Sequence, residues 1–102
     1  MDIQQILKQA QVFQEKLQAI QEQLAGRKFS ARAGGGMVTA TVNGRGELVD
    51  LAVEPEILTG NDPLMLRDLV LAAVNAALRE ARDESKAEMS KLTGGLNLPG
   101  LF

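Results

Sequence analysis

The first 25 residues carry an apolar position every three or four residues. Polar residues, mainly Gln, Glu and Lys, separate the positions Ile3, Ile6, Ala10, Phe13, Leu17, Ile20 and Leu24. This 3-4 spacing collects the apolar side chains into one narrow stripe of a helix. Such a stripe is suited to packing against one or two other helices, and Gly26 is a typical C-terminal stop. The pattern therefore predicts a helix over residues 1–25.

The pattern changes to period two after this helix. Three short runs, 28–33, 37–43 and 47–54, alternate apolar with polar or small side chains. Period two on successive short runs predicts an antiparallel meander of three strands.

The connection between the last two runs reads NGRG, from Asn43 to Gly46. This sequence favours a two-residue hairpin turn, of type II′ centred on Gly44-Arg45 or of type I′ centred on Asn43-Gly44. A turn centred on Gly44-Arg45 pairs Ala40 with Val49 and Val38 with Leu51, which brings the apolar faces into register.

A helical period returns after a predicted loop at 55–62. Asp62 and Pro63 are typical of a helix N-terminus. The helix is predicted over 63–92, and its wide apolar stripe comprises Leu66, Leu69, Val70, Ala73, Val74, Ala77, Leu78 and Ala81. Beyond Ala81 the stripe thins, so the first half of this helix is predicted to cover the sheet and the second half to be solvated.

Helix length predicts a molecule with protruding arms. The two helices would be about 37 and 45 Å long, whereas strands of six residues span only about 20 Å. Both helices must therefore overhang the sheet, and we expect the N-terminal part of the first to pair with the C-terminal part of the last. The predicted fold class is α+β, with an N-terminal helix, a three-stranded antiparallel sheet and a long C-terminal helix. The domain would span 1–92, before an irregular apolar tail at 93–102.

Composition argues against an enzyme. The 102 residues contain no Cys, His, Trp or Tyr. The commonest general base and metal ligand is thus absent, as are disulfides and thiolate chemistry. A core of this size is marginal, which favours a dimer. No cofactor is expected. The acidic residues Glu54, Glu56 and Asp62 match no metal-binding loop, and Asp62 has a capping role instead.

The net charge of −2 does not by itself predict binding to a polyanion, so any such site must come from segregated charge. The chain has no apolar run of about 20 residues, and its start has no signal-peptide pattern. We expect a cytoplasmic protein.

Several segments together resemble the YbaB/EbfC family of bacterial nucleoid-associated DNA-binding proteins. They are the heptad helix followed by GGGMVTATVNGRGELVDLAVEPEIL, DLVLAAVNAALREA and LTGGLNLPGLF. The resemblance covers essentially the whole chain. It implies a homodimer with a small antiparallel sheet and protruding helices, DNA binding at the nucleoid, and no catalytic activity.

The glycine-rich segment at 34–46 does not match a phosphate-binding loop. Such loops open a helix, and a P-loop places Lys and Ser/Thr directly after its glycines. Here Gly36 is followed by Met37, Val38 and a predicted strand. The glycines are therefore interpreted as turns, or as points where another backbone approaches closely.

Basic residues are the candidate DNA contacts. Arg79, Arg82 and Lys86 fall on one face of the last helix at spacings of three and four. Alternatively, they could make surface ion pairs such as that of Arg79 with Asp83. The full candidate set is Arg79, Arg82, Lys86 and Lys91 on the last helix, Lys8 and Lys16 on the first, Arg45 at the hairpin tip, and Arg27, Lys28 and Arg32 at the helix–strand junction.

The tail leaves two interpretations open. Its four large apolar residues, Leu96, Leu98, Leu101 and Phe102, either pack on the protein's own dimer or dock on a partner protein. The sequence thus predicts a homodimer that binds double-stranded DNA. The alternative is a protein-interaction adaptor that uses the heptad helix and the tail. The dimer surface stays open between the outer face of the sheet and the stripe of the first helix.

Overall fold

The computed structural model describes residues 2–94, and the tail interpretations therefore lie outside the described residues. The elements are α1 (Ile3–Ala25), β1 (Lys28–Ala33), β2 (Val38–Asn43), β3 (Leu48–Val53), α2 (Pro55–Thr59) and α3 (Pro63–Leu92). The strands form an antiparallel sheet in the order β1-β2-β3. The predicted α+β arrangement of helix, three-stranded sheet and long helix is thus confirmed.

The segment predicted as a loop contains the short helix α2. Glu54 is extended, and Pro55 begins the helix with the φ angle that its ring imposes. The turn that follows buries Ile57 in the core. The loop prediction was therefore wrong for residues 55–59, whereas residues 60–62 lie outside helices and strands as predicted.

The start of α3 agrees with its capping signature. Asp62 accepts a hydrogen bond from the backbone N–H of Met65 at 3.0 Å, and Pro63 occupies the first turn. This contact satisfies one of the donors that a helix N-terminus leaves free.

The register of β3 differs from the predicted one by two residues. Ala40 lies opposite Leu51 and Val38 opposite Val53, not opposite Val49 and Leu51. The difference arises in two steps of one residue each. Gly46, with a φ of 81°, adds one residue at the turn, and the register shifts again where Val49 interrupts the ladder.

The turn itself is neither of the two predicted types. The N–H of Gly46 donates to the carbonyl of Asn43 at 3.0 Å, and the N–H of Asn43 donates to the carbonyl of Glu47. Gly44 has no positive φ; the left-handed residue is Gly46, as in a three-residue hairpin with a glycine bulge. The two steps together leave Leu51 and Val53 on the predicted core side of the sheet. Only the first step affects Leu48, which therefore lies on the α3 side and not on the outer face that period two predicts.

The triple glycine forms the β1–β2 turn. Gly34, Gly35 and Gly36 have positive φ angles of 63°, 68° and 94°. Glycine adopts such angles readily because it has no Cβ, whereas other residues rarely do. Met37 closes the turn by donating its N–H to the carbonyl of Gly34 at 3.4 Å. These glycines therefore serve the turn, as the sequence context predicted.

The core lies between α3 and two of the three strands. Helix α3 packs across β1 and β2, and its contact residues Ala73, Ala77 and Ala81 are small and buried. Small side chains let the helix approach the sheet closely, where Val38 and Val42 are fully buried. The helix leaves β3 largely uncovered.

The arm forms from the C-terminal half of α1 and the C-terminal part of α3. Leu24 is buried and Leu17 and Ile20 are half-buried, whereas every residue from Asp2 to Lys16 is exposed. The predicted pairing of the N-terminal part of α1 with α3 was therefore wrong. Because the two helices run antiparallel from the same end of the sheet, that part of α1 projects past α3 and extends the molecule to 69 Å.

A close backbone contact fixes the root of this arm. Gly44, at the β2–β3 turn, lies directly against the carbonyl of Leu24, so a Cβ at position 44 would overlap that group. The last turn of α1 therefore rests on the hairpin through backbone atoms.

Candidate nucleic-acid interface

The basic residues of the outer part of α3 are exposed and share one face. Arg79, Arg82 and Lys86 are exposed, and within residues 2–94 no carboxylate lies within ion-pair distance of them. The pairing of Arg79 with Asp83 that the sequence left open is not made. These three residues, the arm row, keep their charge available for a ligand.

Two acidic residues of the same segment, Glu84 and Glu88, turn away from the arm row and towards Arg27. Arg27 Nη1 lies 2.9 Å from Glu84 Oε1 and 4.0 Å from Glu88 Oε1. The guanidinium also stands 5.3 Å from the centre of the Phe29 ring, a cation–π geometry. Arg27 therefore ties the arm to the sheet, and its charge is already compensated.

Lys91, like Arg27, makes an ion pair with a carboxylate of α3. Its Nζ lies 3.3 Å from Glu88 Oε1, so Glu88 stands between two cations. The side chain of Lys91 remains mostly exposed, and a surface pair of this kind is worth less than about 1 kcal/mol. Lys91 is thus a weaker candidate than the arm row.

Arg45 lies near the arm row. Together with Arg82 it lines a groove between the hairpin and α3, and Ser85 lines the same groove. Asn43 shapes the hairpin tip, since its Oδ1 accepts the N–H groups of Arg45 at 2.9 Å and Glu47 at 3.1 Å. The structure therefore brings together two candidates that are 37 residues apart in the sequence.

Lys28 and Arg32 lie on another surface. Their neighbours on β1, Phe29, Ala31 and Ala33, pack towards α3, so these two residues belong to the opposite face of the sheet. Ser30 shares that face and exchanges a hydrogen bond of 2.8 Å with Thr41. This polar face is separate from the arm row.

The lysines of α1 are not gathered with the arm row. Lys8 lines a shallow surface groove with Gln5, Gln9 and Val12 on the projecting half of α1, beyond the part that packs on α3. Lys16 is also exposed on that half. The expected merging of these lysines with the face of α3 required the helix pairing that the structure does not show.

One cation, Arg67, is not among the candidate DNA contacts. Its guanidinium lies 3.2 Å from the neighbouring carboxylate of Asp68. It stands on the first half of α3, next to the sheet and away from the arm. In the sequence Arg67 lies far from the other basic residues, so no spacing pattern indicated that it shares a site with them.

Residues 2–94 contain neither a metal-binding cluster nor a membrane-spanning helix. No group of three Asp or Glu side chains within residues 2–94 is arranged to hold a metal ion. None of the helices in that range is long and apolar enough to span a membrane. What the arm provides is exposed positive charge on a rigid element, which is suited to contacts with phosphate groups.

Comparison with known proteins finds relatives over nearly the whole chain. Residues 1–96 match the model of the YbaB/EbfC DNA-binding family. A nucleoid-associated protein of Clostridium kluyveri is 47% identical over 97 residues, covering 95% of this chain and 85% of its relative. One of Thermoanaerobacter pseudethanolicus is 50% identical over 101 residues, covering 99% and 91%.

A solved structure supports the fold. The crystal structure of the uncharacterized protein HP0035 from Helicobacter pylori matches with a TM-score of 0.84 at 24% sequence identity, covering 92% of this chain and 99% of that one. With the family match and the two bacterial relatives, the conclusion is that this chain belongs to the YbaB/EbfC family of nucleoid-associated DNA-binding proteins.

Proposed function

We propose that the protein is a homodimer at the nucleoid that holds duplex DNA between two helical arms, through contacts with the phosphate backbone and with little sequence preference. The observation that carries this proposal is the separation of charge on α3. Glu84 and Glu88 turn towards Arg27, while the arm row keeps three exposed cations without ion-pair partners among residues 2–94.

Helix geometry supports this separation. At 3.6 residues per turn, Arg79, Arg82 and Lys86 fall within about 60° of one another. Glu84 and Glu88 lie about 120° or more from Arg82 around the helix. Asp83 lies about 40° from Arg79, on the side away from Arg82. A rod-shaped polyanion that approaches from the Arg82 side therefore meets cations first, despite the net charge of −2.

The uncovered strand supports a dimer. Leu48 and Leu51 pair with Val42 and Ala40, so they lie on the same side of the sheet as α3, yet they are 49% and 39% exposed. Leu71 of α3 is 53% exposed. We infer that a second copy covers this leucine corner, made of Leu48, Leu51, Leu64 and Leu71.

The leucine corner and the arm row share one side of α3. Leu71 and Leu78 are seven residues apart, so their side chains lie on nearly the same line along the helix. Leu78 lies near Gly46, in the turn that precedes β3. Arg82 follows Leu71 after about three turns. A dimer formed through the leucine corner would therefore turn the two arm rows towards the space between the arms.

The charges set the expected salt dependence. Two arm rows of three cations could neutralise about six phosphates, which gives a slope of log K against log salt near −5. The arm row offers charged groups without an aromatic wedge, so weak discrimination between sequences is expected.

The test is a titration of unrelated duplexes at rising salt, with Arg79→Gln, Arg82→Gln and Lys86→Gln combined in one variant. We expect saturable binding by the parent protein, and in the variant a slope of log K against log salt whose magnitude is smaller by about five. The matched control neutralises Arg27, Lys28 and Arg32, which changes the net charge equally.

The two variants separate the candidate surfaces. If only the control variant lost binding, the outer face of the sheet and not the arm would hold DNA. If the parent protein failed to bind at low salt, the adaptor alternative would replace the proposal.

The dimer surface has its own test. Leu51→Lys places a charge in the leucine corner, whereas Ala52→Lys places it on the opposite face of the same strand. We expect Leu51→Lys to raise the dimer dissociation constant at least about tenfold in sedimentation equilibrium, since a charge would be buried unpaired. Dissociation by Ala52→Lys alone would assign the dimer to the outer face of the sheet.

A further inference from the structure

We propose that residues 95–102 dock on the N-terminal half of α1 of the same chain. The surface is the projecting stripe, which comprises Ile3, Ile6, Ala10 and Phe13. Its occupant supplies Leu96, Leu98, Leu101 and Phe102. This inference does not depend on DNA binding or on the dimer.

The projecting stripe is apolar and uncovered by residues 2–94. Ile3 is 72% exposed, Ile6 48% and Phe13 44%. They continue the line of Leu17 and Leu24, which packs against α3 farther along the same helix. One half of a single stripe thus has a partner within the described chain, and the other half has none there.

The chain leaves α3 at the right place to cover it. Thr93 is only 8% exposed. Gly94 follows with a φ of 62°, and its N–H donates to the carbonyl of Lys91 at 3.2 Å. A left-handed glycine ends a helix and redirects the chain. Since α1 and α3 run antiparallel and Met89 shares a groove with Gln18, Gly94 lies at about the level where the projecting stripe begins.

The lengths agree. Eight residues in an extended conformation span about 26 Å, and the rise of α1 from Leu17 back to Ile3 is about 21 Å. The tail is therefore long enough to reach the end of the stripe. In an extended chain Leu96 and Leu98 point to the same side, so both can face α1 while Asn97 faces solvent.

A docked tail also explains how the projecting half of α1 persists as a helix. That half has about 14 residues, and an isolated helix of this length is marginal in water. Most helical stability in proteins comes from packing of an apolar face. Residues 95–102 follow the end of α3 beside that face, carry four large apolar side chains and are long enough to cover it.

Amide hydrogen exchange of the full chain tests the proposal. The full chain is compared with a variant ending at Gly94 and with a variant that combines Leu96→Asp and Leu98→Asp. We expect exchange at residues 6–16 to become at least about tenfold faster in both variants, while exchange in β2 stays the same. Asn97→Asp, which adds charge at a solvent-facing position, is the matched control and should leave exchange unchanged.

Three results would overturn the proposal. The first is unchanged exchange at residues 6–16 after removal of the tail. The second is an equal increase in β2, which would show a general loss of stability. The third is protection that persists without the tail and grows with protein concentration, since a second copy would then cover the projecting stripe.

Discussion

Replacing Gly44 with alanine should detach the arm from the body. At a residue without positive φ, Gly→Ala ordinarily stabilises a protein by about 0.4–1 kcal/mol, because the unfolded chain loses freedom. Gly44 has no positive φ, yet a Cβ there would lie within 3.0 Å of the backbone carbonyl and the Cβ of Leu24. Because of this close contact, we expect Gly44→Ala to lower the free energy of unfolding instead of raising it.

The magnitude follows from the atoms that collide. Non-bonded carbon and oxygen atoms stay about 3.3 Å apart or more, so the hairpin and the end of α1 would have to separate by about 1 Å or more. Neither partner is a flexible side chain. Overpacking of this kind costs about 1–3 kcal/mol, and separation also exposes Leu24, which is 4% exposed. We expect a loss of about 3 kcal/mol.

Urea denaturation followed by circular dichroism, at one fixed protein concentration, measures this loss. A loss of this size corresponds to a decrease in Tm of about 12–24 °C for a domain of this length. Gly26→Ala is the matched control, because Gly26 has a φ of −85° and its Cβ would meet only a carbonyl at 3.8 Å. If Gly44→Ala were as stable as Gly26→Ala, the close contact would not fix the arm.

Two further changes probe the arm and the hairpin. Arg27→Gln should change the free energy of unfolding by less than about 1 kcal/mol in denaturant titration, because the Arg27–Glu84 pair is partly exposed. It should also leave DNA affinity within about threefold in the duplex titration, whereas a loss as large as that of the combined arm-row variant would return Arg27 to the interface. Asn43→Ala should cost about 1–2 kcal/mol, since two backbone N–H groups lose their acceptor; an unchanged unfolding midpoint would contradict this role.

Much of the fold could be predicted because the local patterns agree with each other. The 3-4 spacing of α1, the period-two runs and the Asp62-Pro63 signature each predicted an element that the structure contains. Register was less predictable, because Gly46 and Val49 each add a residue that periodicity does not reveal. The two steps together keep Leu51 and Val53 on the predicted face, whereas Leu48 lies on the α3 side, and α3 leaves most of β3 exposed.

The candidate site was harder to predict, because its chemistry depends on which charges meet in space. From the sequence alone, Arg27 and Arg82 are equally good candidates for a DNA contact. Only the packing of α1 on α3 shows that Glu84 compensates Arg27. Spacing also could not show that Arg45 and Arg82 share a groove, or that α3 leaves Leu48 and Leu51 uncovered. Long-range contacts decided each of these outcomes.

The projecting arm has a consequence for how the molecule moves in solution. Its Cα radius of gyration is 19.3 Å, whereas a compact chain of about 100 residues has a value of about 13 Å. A chain of 10.9 kDa will therefore diffuse and elute like a heavier globular protein even as a monomer. Its mass in solution should be measured by light scattering or sedimentation equilibrium, because both report mass independently of molecular shape. Elution volume and small-angle scattering will instead report how far the arm extends.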